Sequence, residues 1–353
     1  MDCLVRQAAQ KFGDSPALIE RTRICTYAQL EHMVERATSQ LWELGLRQSH
    51  RVGIILPNGI DQIILLMALI RIGAIACPIS ARLMNSGIEQ CLKKVDATLL
   101  VSENENPKRE NCRTIVPSEI LSIRTSNRPA ETECATDQPA VVVFTSGSTG
   151  EPKAVCLTIG NLYYNALGSN QNISFEPGDR WLLSLPLYHV GGLGILFRAV
   201  VGGGAVVIEH PGQGIADQLR LNSLTHVSLV STQLYRLLNS ADADTHSFMK
   251  LKAVLLGGSA MPSELIRKSL AVGLPIHSSY GLTEMASQVA TSPPFSSVDK
   301  LNTSGALLPY RQLRIASTGE IELRGETRFA GYVERQELVS PFDTGGWFST
   351  GDI

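Results

Sequence analysis

The sequence has 353 residues, of which 44% are hydrophobic and 18% charged, and its 31 basic side chains nearly balance 33 acidic ones. Because one hydrophobic core rarely serves more than ~250–300 residues, we expect more than one packed subdomain. The net charge of −2 provides no global field that would attract nucleic acid or an anionic membrane, and it disfavours both as main partners. Dispersed glycines and prolines exclude a collagen-like or low-complexity chain.

The cysteines and the apolar stretches bear on the cellular compartment. Seven cysteines are widely spaced without a CxxC pair, so we expect neither a disulfide framework nor a zinc site. The first residues lack the basic and apolar regions of a signal peptide. The longest apolar stretch, residues 63–70, is far below the ~20 residues that span a bilayer. These features predict a cytoplasmic protein without a membrane span, and they leave the oligomeric state open, a homodimer included.

The first third of the chain alternates helix and strand patterns. Residues 26–44 carry apolar side chains at helical spacing after Thr26, a candidate N-cap. The runs 51–56 and 74–79 are typical of buried strands, and they enclose an apolar helix predicted at 62–72. This strand–helix–strand order predicts a parallel sheet with right-handed crossovers.

The composition of the remaining two thirds changes twice along the chain. Residues 102–138 are polar, which predicts a surface segment that connects the two halves of the sheet. Short apolar runs then predict strands at 140–144, 181–185, 205–208, 227–230 and 253–256. After Ser292, short polar segments rich in turns are typical of a small antiparallel β unit.

The segment 145–153, Thr-Ser-Gly-Ser-Thr-Gly-Glu-Pro-Lys, directly follows the predicted strand at 140–144. Its glycines let backbone N–H groups approach an anion, while its hydroxyl groups and lysine add donors and charge. It is not a Walker A loop, because Pro152 stands where the helix of that motif would begin. A flexible surface loop is the alternative. The lysine after a proline, close to a buried strand, favours a phosphate-binding loop.

Seven motifs, in order along the chain, resemble those of the adenylate-forming superfamily of acyl-CoA synthetases, peptide-synthetase adenylation domains and luciferases. They lie at 145–153, 185–192, 256–262, 279–284, 320–325, 331–332 and 346–352. The resemblance implies an α/β fold with two mostly parallel sheets flanked by helices, plus a small antiparallel β subdomain. It divides the chain into a first α/β subdomain (1–139), a second with the nucleotide and acid site (140–291) and a small β subdomain (292–353).

The resemblance also implies the reaction: AMP is transferred from MgATP to a carboxylic acid, and coenzyme A then displaces the AMP. Thr283 would bind the α-phosphate, Glu284 would hold Mg²⁺, and Asp352 would accept both ribose hydroxyls. The other phosphates would be held by Thr145, Ser146, Gly147, Ser148, Thr149, Gly150 and Lys153. Adenine would lie among Gly258, Ser259, Ala260, Ser279, Tyr280 and Gly281, with Tyr280 stacked on it. Out of context, Glu284 could be an exposed acid and Tyr280 a core aromatic residue.

In the same family the position of His189 controls entry to the acyl pocket, which Gly257 and Gly281 would border. The resemblance thus makes Thr283, Glu284, Lys153 and His189 the candidate catalytic residues. A satisfied core histidine is the alternative for His189.

Within the superfamily, residues 181–192, 229–238 and 251–258 are similar to those of the o-succinylbenzoate–CoA ligases of menaquinone biosynthesis. Their substrate has two carboxylates, one activated and one aromatic. Arg198 is a charge inside an apolar, helix-like run, and a buried arginine requires a partner. We therefore predict that Arg198 holds the aromatic carboxylate. A structural salt bridge is the alternative.

Two other functions stay open. Another acyl-CoA synthetase or an amino-acid adenylation domain would share every nucleotide motif, although residues 189–194 contain no aspartate to hold an amino group. The second open function is that of a nucleotide-binding homologue that catalyses no reaction. Family members continue past the last motif through a hinge into a C-terminal lid domain. We therefore expect this sequence to represent the large N-terminal portion and to form little acyl-CoA alone.

Overall fold

The computed structural model describes residues 2–103, 112–125, 134–146, 151–240, 245–334 and 337–353. The helices are α1 Leu4–Phe12, α2 Tyr27–Glu43, α3 Ile60–Arg71, α4 Asn85–Lys94, α5 Pro117–Ser122, α6 Ile159–Asn172, α7 Val190–Gly202, α8 Ile215–Asn222, α9 Ser231–Leu238, α10 Thr245–Phe248, α11 Ser263–Ala271 and α12 Val298–Leu301, with a 3₁₀ turn at Thr283–Met285. The strands are β1 Pro16–Glu20, β2 Arg23–Thr26, β3 Arg51–Ile55, β4 Ile75–Pro78, β5 Leu99–Ser102, β6 Arg113–Ile115, β7 Pro139–Ser146, β8 Pro152–Thr158, β9 Arg180–Leu183, β10 Ala205–Ile208, β11 His226–Leu229, β12 Ala253–Leu256, β13 Ile276–Leu282, β14 Ser287–Thr291, β15 Ala306–Leu307, β16 Arg311–Ile315, β17 Ile321–Gly325, β18 Gly331–Glu334, β19 Glu337–Val339 and β20 Phe348–Ser349.

These strands form three sheets. The nine-stranded sheet has the order β15-β14-β13-β12-β11-β9-β10-β1-β2 and is parallel from β13 to β1. The eight-stranded sheet has the order β19-β18-β8-β7-β4-β3-β5-β6 and is parallel from β7 to β6. The third sheet, β16-β17-β20, has three antiparallel strands. The predicted α/β class, with two mostly parallel sheets and a small antiparallel sheet, is confirmed.

The hydrophobic core lies between the two large sheets and on their outer faces. Along β7, Val141 and Val143 face the central cluster, whereas Val142 faces a second cluster on the other side of the sheet. In β9, Trp181 and Leu183 likewise face the centre and Leu182 faces outward. Because both faces of β7 and β9 are covered, these two strands appear in the sequence as continuous apolar runs.

The predicted helix at 26–44 begins as expected. The side-chain oxygen of Thr26 accepts the Gln29 N–H at 3.2 Å, and the Gln29 side chain accepts the Thr26 N–H at 3.0 Å. This capping box satisfies two backbone donors that the first turn of α2 would otherwise leave unpaired. The role of Thr26 as an N-cap is confirmed.

The polar segment 102–138 contains more regular structure than the sequence indicates. Its strand β6 pairs in parallel with β5 at the edge of the eight-stranded sheet. The strand is short and Arg113 is exposed, so it produces no apolar run. Each large sheet takes strands from more than one of the segments 1–139, 140–291 and 292–353, and that division stays a prediction. No helix in the described ranges is long and apolar enough to cross a membrane.

Candidate active site

A cavity of about 300 Å³ lies where the parallel strands β11, β12 and β13 end and α7 begins. Loops at the carboxyl ends of parallel strands are the usual ligand site of an open α/β sheet. The predicted site residues that line this cavity are His189, Arg198, Gly257, Gly258, Ser279, Gly281 and Thr283. The fold thus brings together residues that are up to 94 positions apart in the sequence, from His189 to Thr283.

Two glycines allow the backbone to approach closely beside this cavity. Gly258 has a φ of +86°, a left-handed conformation that side chains disfavour. At Gly281 an added Cβ would lie 2.0 Å from the backbone oxygen of Ser287 on the neighbouring strand. Ser259 and Ala260 are exposed beside Gly258, as residues that contact a diffusible ligand must be.

Gly281 supports a direct prediction about stability. Gly281→Ala should lower the melting temperature, because the new methyl group meets backbone rather than a movable side chain, and overpacking of this kind costs about 1–3 kcal/mol. Gly257→Ala is the matched control: its Cβ would meet only the hydroxyl of Ser279, at 3.1 Å. Thermal unfolding of both variants checks the prediction, and equal melting temperatures would contradict it.

The residues predicted for adenine and ribose lie together. The Tyr280 hydroxyl donates a hydrogen bond of 2.6 Å to Asp352 Oδ2. Burial, together with this hydrogen bond, raises the pKa of the Tyr280 phenol, so it stays a donor at neutral pH. Asp352 itself is exposed, which leaves its carboxylate available for two hydroxyl groups of a ligand.

Lys153, predicted to bind phosphate, and Glu284, predicted to bind metal, both lie next to Tyr332. The Tyr332 hydroxyl donates to Glu284 Oε1 at 2.9 Å, and Lys153 Nζ lies 5.4 Å from the centre of the Tyr332 ring. Burial, then the nearby Glu284 carboxylate, raise the pKa of Tyr332. Tyr332 lies in one of the seven motifs, yet the sequence analysis gave it no role. Its contacts place it between the carboxylate and the lysine.

The carboxylate of Glu284 is suited to a magnesium ion. It is partly exposed, and in the described part of the chain only Oε1 has a hydrogen-bond partner, so Oε2 is available. Mg²⁺ prefers oxygen ligands and is commonly held by one or two carboxylates together with substrate phosphates. Among the described residues no group of three or more acidic, histidine or cysteine side chains could hold a metal alone. A metal here would therefore depend on the nucleotide for further ligands.

The predicted phosphate-binding residues Thr145 and Lys153 lie on the antiparallel strands β7 and β8. Thr145 on β7 lies opposite Lys153 on β8 in the antiparallel register. Lys153 is exposed. Gly147, Ser148, Thr149, Gly150 and the side chain of Ser146 lie outside the described residues.

His189 lies at the mouth of the cavity, at the N-cap of α7. Its ring packs edge-on against Tyr188, with the ring centres 4.7 Å apart, and its side chain is exposed. Partial desolvation lowers the pKa of His189, so the imidazole is mostly neutral at pH 7. The alternative of a satisfied core histidine is wrong.

Arg198 lies deep in the same cavity and is only 2% exposed. Its Nη2 donates to Gln288 Oε1 and, at 3.4 Å, to Ser169 Oγ. The guanidinium carbon lies 4.8 Å from the centre of the Trp181 ring. Its Nε is buried without a hydrogen-bond partner, and no described carboxylate forms an ion pair with it. The alternative of a structural salt bridge is therefore wrong for the described residues.

A second buried arginine adds to this positive charge. Arg311 Nε donates to the backbone oxygen of Gln288 at 2.7 Å, and its Nη1 and Nη2 donate to the backbone oxygens of Pro309 and Asn165. Burial lowers the pKa of each guanidinium, Arg198 and Arg311, to about 9, and both stay charged at pH 7. This cavity lies beside two buried cations, and no carboxylate is among the described residues that line it. It therefore favours an anionic ligand.

Similarity to known proteins identifies the family of this chain. Residues 5–333 match the AMP-binding enzyme family, and the chain belongs to that family. The 2-succinylbenzoate–CoA ligase of Bacillus licheniformis is 30% identical over 99% of this chain and 76% of its own length. That of a Geobacillus species is 32% identical over 93% of this chain and 69% of its own. The resemblance to the adenylate-forming superfamily is confirmed.

Solved structures of such enzymes are also similar to this chain. The o-succinylbenzoate CoA synthetase of Bacillus subtilis, in complex with its acyl-adenylate intermediate, superposes with a TM-score of 0.90 at 28% identity, over 99% of this chain and 75% of that one. The same enzyme with ATP and magnesium ion gives a TM-score of 0.88 at 28% identity, over 99% and 76%. That enzyme binds its acyl-adenylate intermediate, and ATP with magnesium ion, on the fold described above.

Proposed function

We propose that this chain activates o-succinylbenzoate with MgATP, forms the o-succinylbenzoyl-adenylate and serves its transfer to coenzyme A in menaquinone biosynthesis. The observation that carries the choice of acid is the buried guanidinium of Arg198, which faces the cavity and has no carboxylate partner among the described residues. Relatives that bear the name of this ligase support the same acid. The reaction takes place in the cytoplasm, where ATP and coenzyme A are supplied.

The first step requires neutralisation of charge more than covalent help from the protein. A carboxylate oxygen is a poor leaving group until it carries AMP, and its attack on the α-phosphate brings two anions together. Thr283 lines the cavity, where its hydroxyl can donate to an α-phosphate oxygen. Lys153 supplies positive charge to the outer phosphates. A magnesium ion held by Glu284 would neutralise phosphate charge and orient the nucleotide.

Three properties of the cavity fit an aromatic dicarboxylate. Its volume of about 300 Å³ is at the small end of ligand pockets. Val190 and Leu282 are apolar wall residues that can pack on a ring. Arg198 lies at the inner end, so the aromatic carboxylate binds there while the succinyl carboxylate points to the nucleotide. The neutral His189 at the mouth closes over the acyl chain without repelling or protonating it.

The alternatives fit the cavity less well. The ammonium group of an amino acid needs a counter-charge, and no carboxylate lines the described cavity. An acid with a single carboxylate, which is consumed by adenylation, would leave Arg198 without an anion. A nucleotide-binding protein without turnover needs no acid cavity.

The acid assignment can be tested by calorimetry with stable adenylate analogues in which a sulfamate replaces the phosphate. The o-succinylbenzoyl analogue should bind this chain at least about tenfold more tightly than the analogue made with 4-oxo-4-phenylbutanoate, which lacks only the aromatic carboxylate. Equal affinities would remove o-succinylbenzoate as the preferred acid while leaving the nucleotide site intact. Absence of binding by both would overturn adenylate formation as well.

Asp352 provides a test of the nucleotide half of the site. Asp352→Ala should weaken ATP binding by about 10–150-fold, because charge-assisted hydrogen bonds to the ribose are worth about 1.5–3 kcal/mol. Asp343→Ala is the matched control, since Asp343 is also an exposed acid near this end of the chain but pairs with Arg314. Titration of ATP into both variants decides the matter. An equal loss in both variants would remove Asp352 from the ribose site.

A further inference from the structure

A second group of reactive side chains lies apart from the candidate active site, where α1, α2 and α3 meet the segment before β7. Arg71 on α3 donates from Nε to Cys3 Sγ at 3.2 Å. The thiols of Cys3 and Cys134 share a hydrogen bond. Glu31 on α2 accepts two hydrogen bonds from Arg71, through Nη1 at 3.1 Å and through Nη2. One guanidinium therefore joins a carboxylate to a pair of thiols.

The surroundings make the two sulfur atoms unequal. The hydrogen bond from Cys134 and the positive charge of Arg71 lower the pKa of the Cys3 thiol, against the effect of burial. The same hydrogen bond, with burial, raises the pKa of Cys134, the proton donor of the pair. Cys3 is partly exposed, whereas Cys134 is buried. Since the thiolate is the reactive form of cysteine, Cys3 is the one that a small oxidant attacks first.

Most of the other cysteines lie in apolar surroundings. Burial raises the pKa of the thiols of Cys25, Cys77, Cys91 and Cys156. Thiols of this kind are inert structural residues. They supply internal controls within the same chain.

We propose that Cys3 and Cys134 form a redox-active pair that a hydroperoxide converts to a disulfide. The Cys3 thiolate attacks one peroxide oxygen, the O–O bond breaks, and the departing oxygen takes a proton to leave as water when the oxidant is hydrogen peroxide. Cys3 is then a sulfenic acid. The Cys134 sulfur, losing its proton, attacks the Cys3 sulfur, and the sulfenic oxygen leaves as a second water. Two thiols are oxidised and one peroxide is reduced to two waters.

The bond would join the start of α1 to the segment that enters β7. That strand leads directly to Thr145, one of the predicted phosphate-binding residues. Oxidation of the thiol pair would therefore form a covalent link beside the strand that carries part of the predicted nucleotide site.

Mass spectrometry of the native chain treated with hydrogen peroxide at pH 7 tests the pair. The first product should be lighter by two hydrogen atoms and should yield a peptide in which Cys3 and Cys134 are linked. In Cys134→Ser the reaction should stop at a sulfenic acid on Cys3, which dimedone traps. A first product oxidised at Cys112, Cys25, Cys77, Cys91 or Cys156, with no linked peptide, would overturn the proposal.

Alkylation rates test the role of Arg71. Between pH 8 and pH 7 the rate for an ordinary thiol of pKa about 8.5 falls almost tenfold, whereas the rate for Cys3 should change little, because its thiolate persists until the pH falls through its lowered pKa. Arg71→Gln should slow alkylation of Cys3 at pH 7 about tenfold. Arg6→Gln is the matched control, because Arg6 also pairs with Glu31, at 3.4 Å.

Two outcomes would contradict this role. One is an almost tenfold fall in the Cys3 rate of the unaltered chain between pH 8 and pH 7. The other is an equal slowing in both arginine variants. The first measurement uses the unaltered chain, so the test stands even when Arg71→Gln fails to fold.

Discussion

Replacing Arg198 with alanine should weaken binding of the o-succinylbenzoyl-adenylate analogue by about 10–150-fold, because a charge-assisted contact to a carboxylate is worth about 1.5–3 kcal/mol. Affinity for ATP should scarcely change, since the phosphates are expected near Thr145 and Lys153 on the other large sheet. The analogue without the aromatic carboxylate should bind the variant and the original chain almost equally. Calorimetry with these three ligands provides the measurement.

Arg198→Lys is the matched variant. It should recover part of the lost affinity through its charge, although it lacks the planar fork that can bind a carboxylate and Gln288 together. A purely structural role for Arg198, packed against Trp181, predicts a different pattern. The melting temperature would fall and the affinities for both adenylate analogues would fall by the same factor. That pattern would remove Arg198 as the anchor of the acid.

Glu284→Gln should abolish most of the magnesium-dependent adenylation, with a loss of roughly 100-fold or more, because metal neutralisation of phosphate charge is worth several kcal/mol at 1.4 kcal/mol per tenfold change. The amide keeps the shape and the oxygen that accepts from Tyr332, so the fold should persist. Pyrophosphate release at several magnesium concentrations, and ATP affinity with and without magnesium, measure the effect.

Tyr332→Phe separates the metal role from the positioning role at the same carboxylate. It removes the hydroxyl that donates to Glu284 at 2.9 Å but keeps the ring near Lys153. A neutral or charged hydrogen bond of this kind is worth about 0.5–3 kcal/mol, so the loss should be smaller than that of Glu284→Gln, and the dependence on magnesium should remain. Unchanged magnesium dependence in Glu284→Gln would remove Glu284 as a metal ligand.

The parts of the fold that follow from burial were predictable from the sequence. Strands β10 and β12 have the bounds that their apolar runs indicate, because all four side chains of each strand are buried. The 17-residue helix α2 follows from apolar spacing together with the Thr26 cap. Strand β13, Ile-His-Ser-Ser-Tyr-Gly-Leu, gives no such pattern. Of its polar residues, Ser279 lines the cavity. His277 and Ser278 instead donate hydrogen bonds to the backbone oxygens of Ser292 and Thr303.

The candidate site was predictable to the extent that its residues belong to local motifs. The Gly258 turn, Tyr280 and Glu284 were found because their spacing along the chain resembles a known pattern. Gln288 was missed, because its contacts with Arg198 and Arg311 join positions that are far apart in the sequence. Tyr332 was seen as part of a motif, but only the folded chain brings its hydroxyl to Glu284. Contacts of this kind depend on how β14 and β18 pack in the folded chain. A local sequence pattern does not predict that packing.

In the proposed function, this chain adenylates an aromatic dicarboxylate, and the charge of Arg198 selects that acid. The most direct measurement is pyrophosphate release from MgATP, with o-succinylbenzoate compared with 4-oxo-4-phenylbutanoate at equal concentrations. We predict release at least about tenfold faster with o-succinylbenzoate, and loss of that advantage in Arg198→Ala. The ratio is informative even when both absolute rates are low. Equal rates with the two acids, or an advantage that survives in Arg198→Ala, would contradict the claim.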